Sequence, residues 1–243
     1  MLFSILQGGD LKQAIIELLL SLPIIILALT VHETAHGYVA YRCGDPTARN
    51  LGRLTLNPIK HLDPIGFLCM LVFGYGWAKP VPINTRYFRN TKKGMALSAA
   101  AGPAANLLMG LASAVGYGAL LAWYTYLQYA SDNAFALTCI NITMTLFYLG
   151  AIYNFLFMAF NLIPVPPFDG SRIALIFLPT HLYFKVMRYE RQIMLGLLLA
   201  LFALSRFFNF SPFSWIAYEL TELIALPVAN GLWAVLRDAL LLA

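Results

Sequence analysis

The chain has 243 residues, of which 60% are hydrophobic and 11% charged, with a net charge of +5 and a mean hydropathy of +0.72. Soluble domains carry roughly a quarter charged residues, so a water-covered globule is excluded. At roughly 20 apolar residues per membrane helix, the length holds several spans but no large soluble domain beside them. The basic excess does not point to nucleic acid. Nine of the sixteen Lys and Arg (Arg42, Arg49, Arg53, Lys60, Lys79, Arg86, Arg89, Lys92, Lys93) share one stretch with only Asp45 and Asp63 as acids, the pattern of a cytoplasmic loop. Cys43, Cys69 and Cys139 are odd in number and have no paired spacing, so they read as free thiols.

In chain order, the first expected helix runs from Leu18 to Tyr41, where His32, Glu33 and His36 are the only acidic or imidazole side chains. Pro64 to Trp77 is uncharged but only 14 residues long and contains Gly66, Gly74 and Gly76, which suits a re-entrant or membrane-embedded piece. It leads into Trp77 to Asn84, whose Pro80 and Pro82 exclude a helix interior and favour an extended edge. Nothing is charged from Gly94 to Ser131 or from Asn133 to Phe168, which predicts two spans joined by an outside turn near Tyr126 to Asn133. The apolar run Gln192 to Ser205, bounded by Arg191 and Arg206, is expected to span by recruiting Phe207, Phe208 and Phe210. Phe213 to Ala243, with Glu219, Glu222 and Pro227, either spans or lies at the interface. The fold class is therefore an all-α polytopic membrane protein, with about four to six membrane-embedded helices and a re-entrant or extended element at 64–84. The first helix starts outside, Arg42 to Lys93 lies inside, and Lys185, Arg188 and Arg191 mark a return to the inside.

The chemistry centres on His32-Glu33-Thr34-Ala35-His36. Positions i and i+4 of a helix share a face one turn apart, so both imidazoles can address one metal ion, while Glu33 projects beside them as a base for a water. With this composition, a chance HExxH arises on the order of once in a thousand shuffled sequences. Two histidines and a glutamate within five residues of a membrane helix are costly unless they share a partner. Two His ligands leave a tetrahedral ion short of a third protein ligand. Asp45, Asp63, Asp132 and Glu190 sit at loops or span ends, and Glu219 and Glu222 belong to the undecided tail. Only Asp169 ends an uncharged membrane run, after Pro164, Pro166 and Pro167 break the helix. Asp169 could also cap a helix beginning near Ser171. His61 and His181 read as interfacial polar residues rather than ligands. Gly102-Pro103 reads as a kink with close helix packing, and Asn106 as support for the site; these two readings remain open together.

HETAH in the first long apolar helix, Ala101-Gly102-Pro103 followed by Asn106, and Asn161 eight residues before Asp169-Gly170 resemble the site-2 protease family of intramembrane zinc metalloproteases. The resemblance covers about Pro23 to Leu178. It implies His32, His36 and Asp169 as ligands of one zinc ion, Glu33 as catalytic base and proton carrier, and Asn161 as a catalytic group facing the developing oxyanion. It is closest to the compact form of the family, without PDZ-like or nucleotide-sensing CBS domains. The expected organisation is one integral membrane protease domain over 1–243, with a catalytic core at about 11–180 and C-terminal helices at about 190–243. The expected activity is hydrolysis of peptide bonds within or near the transmembrane segments of other proteins, in the lipid bilayer and without nucleic acid.

With the ligands roughly 9 to 15 Å along the helix from Arg42, water is expected to reach them from the cytoplasmic side of the plasma membrane. A helical substrate must unwind before attack, and the extended Trp77 to Asn84 stretch could pair with it as an added strand. The alternative is a non-proteolytic membrane protein that binds or transports a divalent metal through the same ligands. Substrate and oligomeric state are not readable from the sequence.

Overall fold

The computed structural model describes residues 11–73, 76–130, 133–177, 179–208 and 212–241. Among these residues there is no strand, and four helices are long and apolar enough to cross a membrane, at Ile15–Arg42, Thr91–Gln128, Ala134–Asn161 and Tyr218–Leu236. The chain is an all-α integral membrane protein.

Helix α1 covers Leu11–Arg42 and carries Pro23 inside it. It ends where Gly44 takes φ +113, a conformation costly for other residues, and the Asp45 N–H reaches back 3.0 Å to the Ala40 carbonyl. A short α2 (Thr47–Asn50) and a helix α3 (Pro64–Phe73) follow. Ten residues of α3 rise only about 15 Å, half the hydrocarbon thickness, so the expected membrane-embedded piece does not cross. Its Ile65 and Leu68 are exposed. Of the three glycines noted there, Gly74 lies outside the described residues.

The stretch from Trp77 to Asn84 is extended, but its only ladder contact is an isolated antiparallel bridge between Ala78 and Leu62. Side chains hold it in place. Arg53 donates to the carbonyls of Lys79 (2.9 Å) and Pro80 (3.3 Å), and the fully buried Asp45 accepts from Asn84 N–H (2.6 Å). The Lys79 N–H donates to the His61 carbonyl at 2.8 Å. His61 is therefore not interfacial: it is 1% exposed, and its Nε2 lies 2.8 Å from the Thr55 carbonyl, which also accepts from Thr34 of the HETAH turn. The loop folds under α1, which buries a histidine that composition alone places at the surface.

Helix α4 (Thr91–Ala130) is the element on which the bundle assembles, packing against α1, α5 (Ala134–Asn161), α6 (Asp169–Ala174) and α10 (Leu226–Leu241). Asn90 and Asn133 accept from the first-turn amides of α4 and α5. Small residues let the backbones approach. Gly110 lies against the ring of Phe155, and a Cβ at Gly118 would collide with Ala229 of α10. Ala114, Ala151 and Phe155 form the buried centre of this packing. Ser131 and Asp132 of the expected outside turn lie outside the described residues.

At the C-terminal end, the run Gln192 to Ser205 is helical within α8 (Glu190–Phe208), which is not among the four candidate spans. Phe210 lies outside the described residues. Instead, the segment left open at 213–243 supplies the fourth candidate, through α9 (Pro212–Leu220), a π turn at Thr221–Ala225 and α10. Helix α7 (Thr180–Arg188) carries His181, which is exposed and apart from the other histidines.

Candidate metal centre

His32 and His36 stand one turn apart on α1, with ring planes at 85° and centroids 4.5 Å apart. Their Nε2 atoms are 2.9 Å from each other, and each is 3.1 Å from Asp169 Oδ2. The Pro-rich turn at 162–168 delivers that carboxylate, and it contains a cis Pro166–Pro167 bond. Asp169 stands in the first turn of α6, so the expected helix start near Ser171 moves back by two residues. Gly170 has no room for a side chain, because a Cβ there would strike the carbonyls of Leu162 and Ile163. That close approach seats the head of α6 on the turn and carries Asp169 to the histidines.

The outer ring nitrogens are already committed. His36 Nδ1 donates to the Ser98 carbonyl (2.7 Å), and His32 Nδ1 lies 2.5 Å from Asn106 Oδ1. With both Nδ1 protons engaged outwards, two Nε2 lone pairs and one carboxylate oxygen face one another, an arrangement that repels unless a cation lies among them. These atoms lie within 4.8 Å of one another, the one such set of His, Cys, Asp or Glu donors among the described residues. Ligand atoms round a tetrahedral zinc with bonds of about 2.0–2.1 Å stand about 3.3 Å apart, close to the separations seen, so the donor set fits one small ion. Burial by itself pushes the Asp169 carboxyl up; protons on the two Nε2 atoms, in place of an ion, would outweigh it by hydrogen-bonding the carboxylate and hold the acid below the usual carboxylate range.

Glu33 lies beside the cluster, half-buried, with Oε2 accepting the Val81 N–H at 2.8 Å. Val81 belongs to the extended stretch, so the loop orients the acid of the motif. A cavity of about 180 Å³ opens beside His36, lined by Ile83, Thr85, Met95, Ser98 and Arg172. These residues come from the extended stretch and its continuation, the start of α4, and α6.

The Asn161 amide donates to the Phe157 carbonyl one turn back on its own helix, at 3.0 Å. Two other amides form a chain that starts at the cluster. Asn106 is completely buried against His32, and Asn154, unremarked in the sequence, donates nothing to Asn106 but accepts from it at 2.8 Å. The signal that was available is an amide in the uncharged run 133–168, shared with Asn133, Asn141 and Asn161.

Gly102 explains how α4 passes so near, since a Cβ there would collide with the Nε2 atoms of both histidines. Alanine would normally favour a helix over glycine by about 1 kcal/mol. Gly102→Ala is nevertheless expected to lose bound metal with helical content unchanged, as measured by elemental analysis beside circular dichroism. Full metal occupancy in the variant would contradict the position of the cluster.

The sequence profile described as peptidase family M50 matches residues 20–203. YwhC of Bacillus subtilis (strain 168), which bears the name of a zinc metalloprotease, is 38% identical over 167 residues, 68% of this chain and 72% of that protein. Rip2 of Mycolicibacterium smegmatis, named likewise, is 32% identical over 90 residues, 35% of this chain and 34% of Rip2. No solved structure matches.

Proposed function

The chain belongs to peptidase family M50 and is a membrane zinc metalloprotease, and from that premise we propose that it cuts peptide bonds within or beside transmembrane segments of other membrane proteins. The observation that carries this is the meeting of His32 Nε2, His36 Nε2 and Asp169 Oδ2 beside Glu33, inside a bundle of apolar helices. His32, His36 and Asp169 would hold one zinc ion. When bound, zinc supplies Lewis acidity, bringing the pKa of a water toward neutrality and polarising a substrate carbonyl. Glu33 would accept the proton of the attacking water and return it to the leaving nitrogen. The Val81 N–H occupies Oε2 and holds the carboxylate still, which leaves Oε1 for the proton.

The chain acts as one protease domain, with its core at about 11–180. The cavity beside His36 is rimmed by residues next to the basic loop, which supports water entry from the cytoplasmic side of the plasma membrane. The test is cleavage of a transmembrane peptide by the purified chain in lipid vesicles, together with its zinc content. Stoichiometric zinc without any cleavage would favour a metal binder or transporter instead.

Strand addition to the extended stretch has a narrower basis than its sequence offers. Pro80 and Pro82 have no N–H, and those of Lys79, Val81 and Asn84 already serve His61, Glu33 and Asp45. From Lys79 to Asn84, a substrate strand is left with the Ile83 N–H and neighbouring carbonyls. A proline at Val81 would therefore disturb Glu33 as well, and only Ile83→Pro isolates the pairing. It is expected to slow cleavage of a helical substrate about tenfold, the worth of one backbone hydrogen bond, and to affect an unfolded peptide less. Equal cleavage of the helical substrate by wild type and variant would end the strand hypothesis.

A further inference from the structure

Resting on the metal-site reading above, we infer that Asn154 is a positioning residue: through Asn106, it sets which nitrogen of His32 carries the ring proton. His36 needs no such help, because its Nδ1 meets a backbone carbonyl, Ser98, which can only accept. His32 instead meets the side-chain amide of Asn106, and an amide can be turned end for end without changing its shape. Turned the other way, Asn106 would aim its NH₂ at His32 Nδ1 and drive the ring proton to Nε2. That proton would then point at His36 Nε2 and Asp169 Oδ2, in the space where the ion belongs.

The orientation is decided further out. The Asn106 NH₂ faces two acceptors, Asn154 Oδ1 at 2.8 Å and the Ala28 carbonyl at 3.4 Å. Asn154 could itself turn, but its NH₂ donates to the Gly150 carbonyl at 2.8 Å, a group that can only accept. The donors therefore run in one sense: His32 to Asn106, Asn106 to Asn154, Asn154 to Gly150. Asn106 is 0% and Asn154 1% exposed, so no water competes for these groups. The relay links three helices, α1, α4 and α5, and its direction comes from backbone carbonyls at its far end. Outer partners of this kind typically change metal affinity about 10- to 100-fold when removed.

The test is a double-mutant cycle on the full chain in detergent, with zinc affinity read by competition against a chromophoric chelator and the visible spectrum of the cobalt-substituted protein as a second readout. Asn154→Leu, of similar volume, is expected to weaken zinc binding about 10- to 100-fold and to alter the cobalt spectrum. Asn154→Asp, neutral at this depth, keeps an oxygen for Asn106 and an O–H for Gly150, and is expected to recover most of the affinity. In an Asn106→Asp background the acid, unlike one at 154, lies against the His32 N–H with the dication behind it and is held ionised, so either oxygen accepts that proton and Asn154→Leu is expected to change affinity less than about twofold.

Wild-type zinc affinity in a folded Asn154→Leu protein, or an equal loss in both backgrounds, overturns the relay. Should Asn154→Leu lower the thermal transition of the metal-free protein, Asn154→Asp decides: preserved affinity supports the relay, and a loss as large as that of leucine overturns it. A wild-type chain that binds zinc but cleaves nothing would unseat the protease reading and leave this cycle to stand by itself.

Discussion

Glu33→Gln is expected to stop peptide cleavage and to leave the metal in place. The amide is nearly isosteric with the carboxylate, and its oxygen can still accept the Val81 N–H that lies 2.8 Å from Oε2, so the loop and the HETAH turn keep their geometry. What is lost is the basic oxygen. A positioned general base typically contributes about 10²- to 10⁴-fold, and Glu33 is asked both to take a proton and to return it, so a rate loss of at least about 10³-fold is expected. None of the three donor atoms facing the ion site belongs to Glu33, so zinc content should match wild type. Cleavage of a transmembrane peptide by the variant at the wild-type rate would remove Glu33 from the chemistry. Loss of zinc together with cleavage would make Glu33 a support of the ligands rather than the base. A metal transporter has no need of this acid and would be little affected.

Much of this was legible from residue types, because polar groups at membrane depth are expensive and therefore few. His32, Glu33 and His36 stand out in an uncharged helix, and Asp169 stands out because it ends one. What could not be read depends on packing. Asn154 and Asn161 are seven residues apart, nearly the same face of α5, and only the approach of α4 places one beside Asn106 while the other bonds its own helix at Phe157. The partner of Glu33 is a backbone N–H, which leaves no mark in a sequence. Burial of His61 follows from a loop folding under α1, and a composition window sees only its charged neighbours. The C-terminal spans were ambiguous because α8 and the segment after it are comparably apolar, and composition does not rank one above the other.

The second large effect concerns the carboxylate ligand. Asp169→Asn is expected to lose both zinc and cleavage, and in that it differs from Glu33→Gln. Two neutral imidazoles bring no charge to a dication, so Asp169 supplies the only negative ligand of the three and Glu33 the nearby second charge. Asparagine removes that charge and brings an NH₂ group into the space between two Nε2 lone pairs that are 2.9 Å apart. Donation from that amide to the histidines would satisfy them and close the site to an ion. The fall in zinc affinity should therefore exceed the about 10- to 100-fold typical of outer partners. Cleavage should drop below the residue left by Glu33→Gln, because Lewis acidity disappears along with the positioned water. Chelation of the wild type followed by zinc should restore cleavage, whereas the same zinc concentration should not restore the variant. Elemental analysis of the two variants side by side, with circular dichroism to show that both are folded, separates the base from the ligand. Zinc retained at wild-type affinity by folded Asp169→Asn would mean that Asp169 is not a ligand, and the third donor would have to be sought elsewhere.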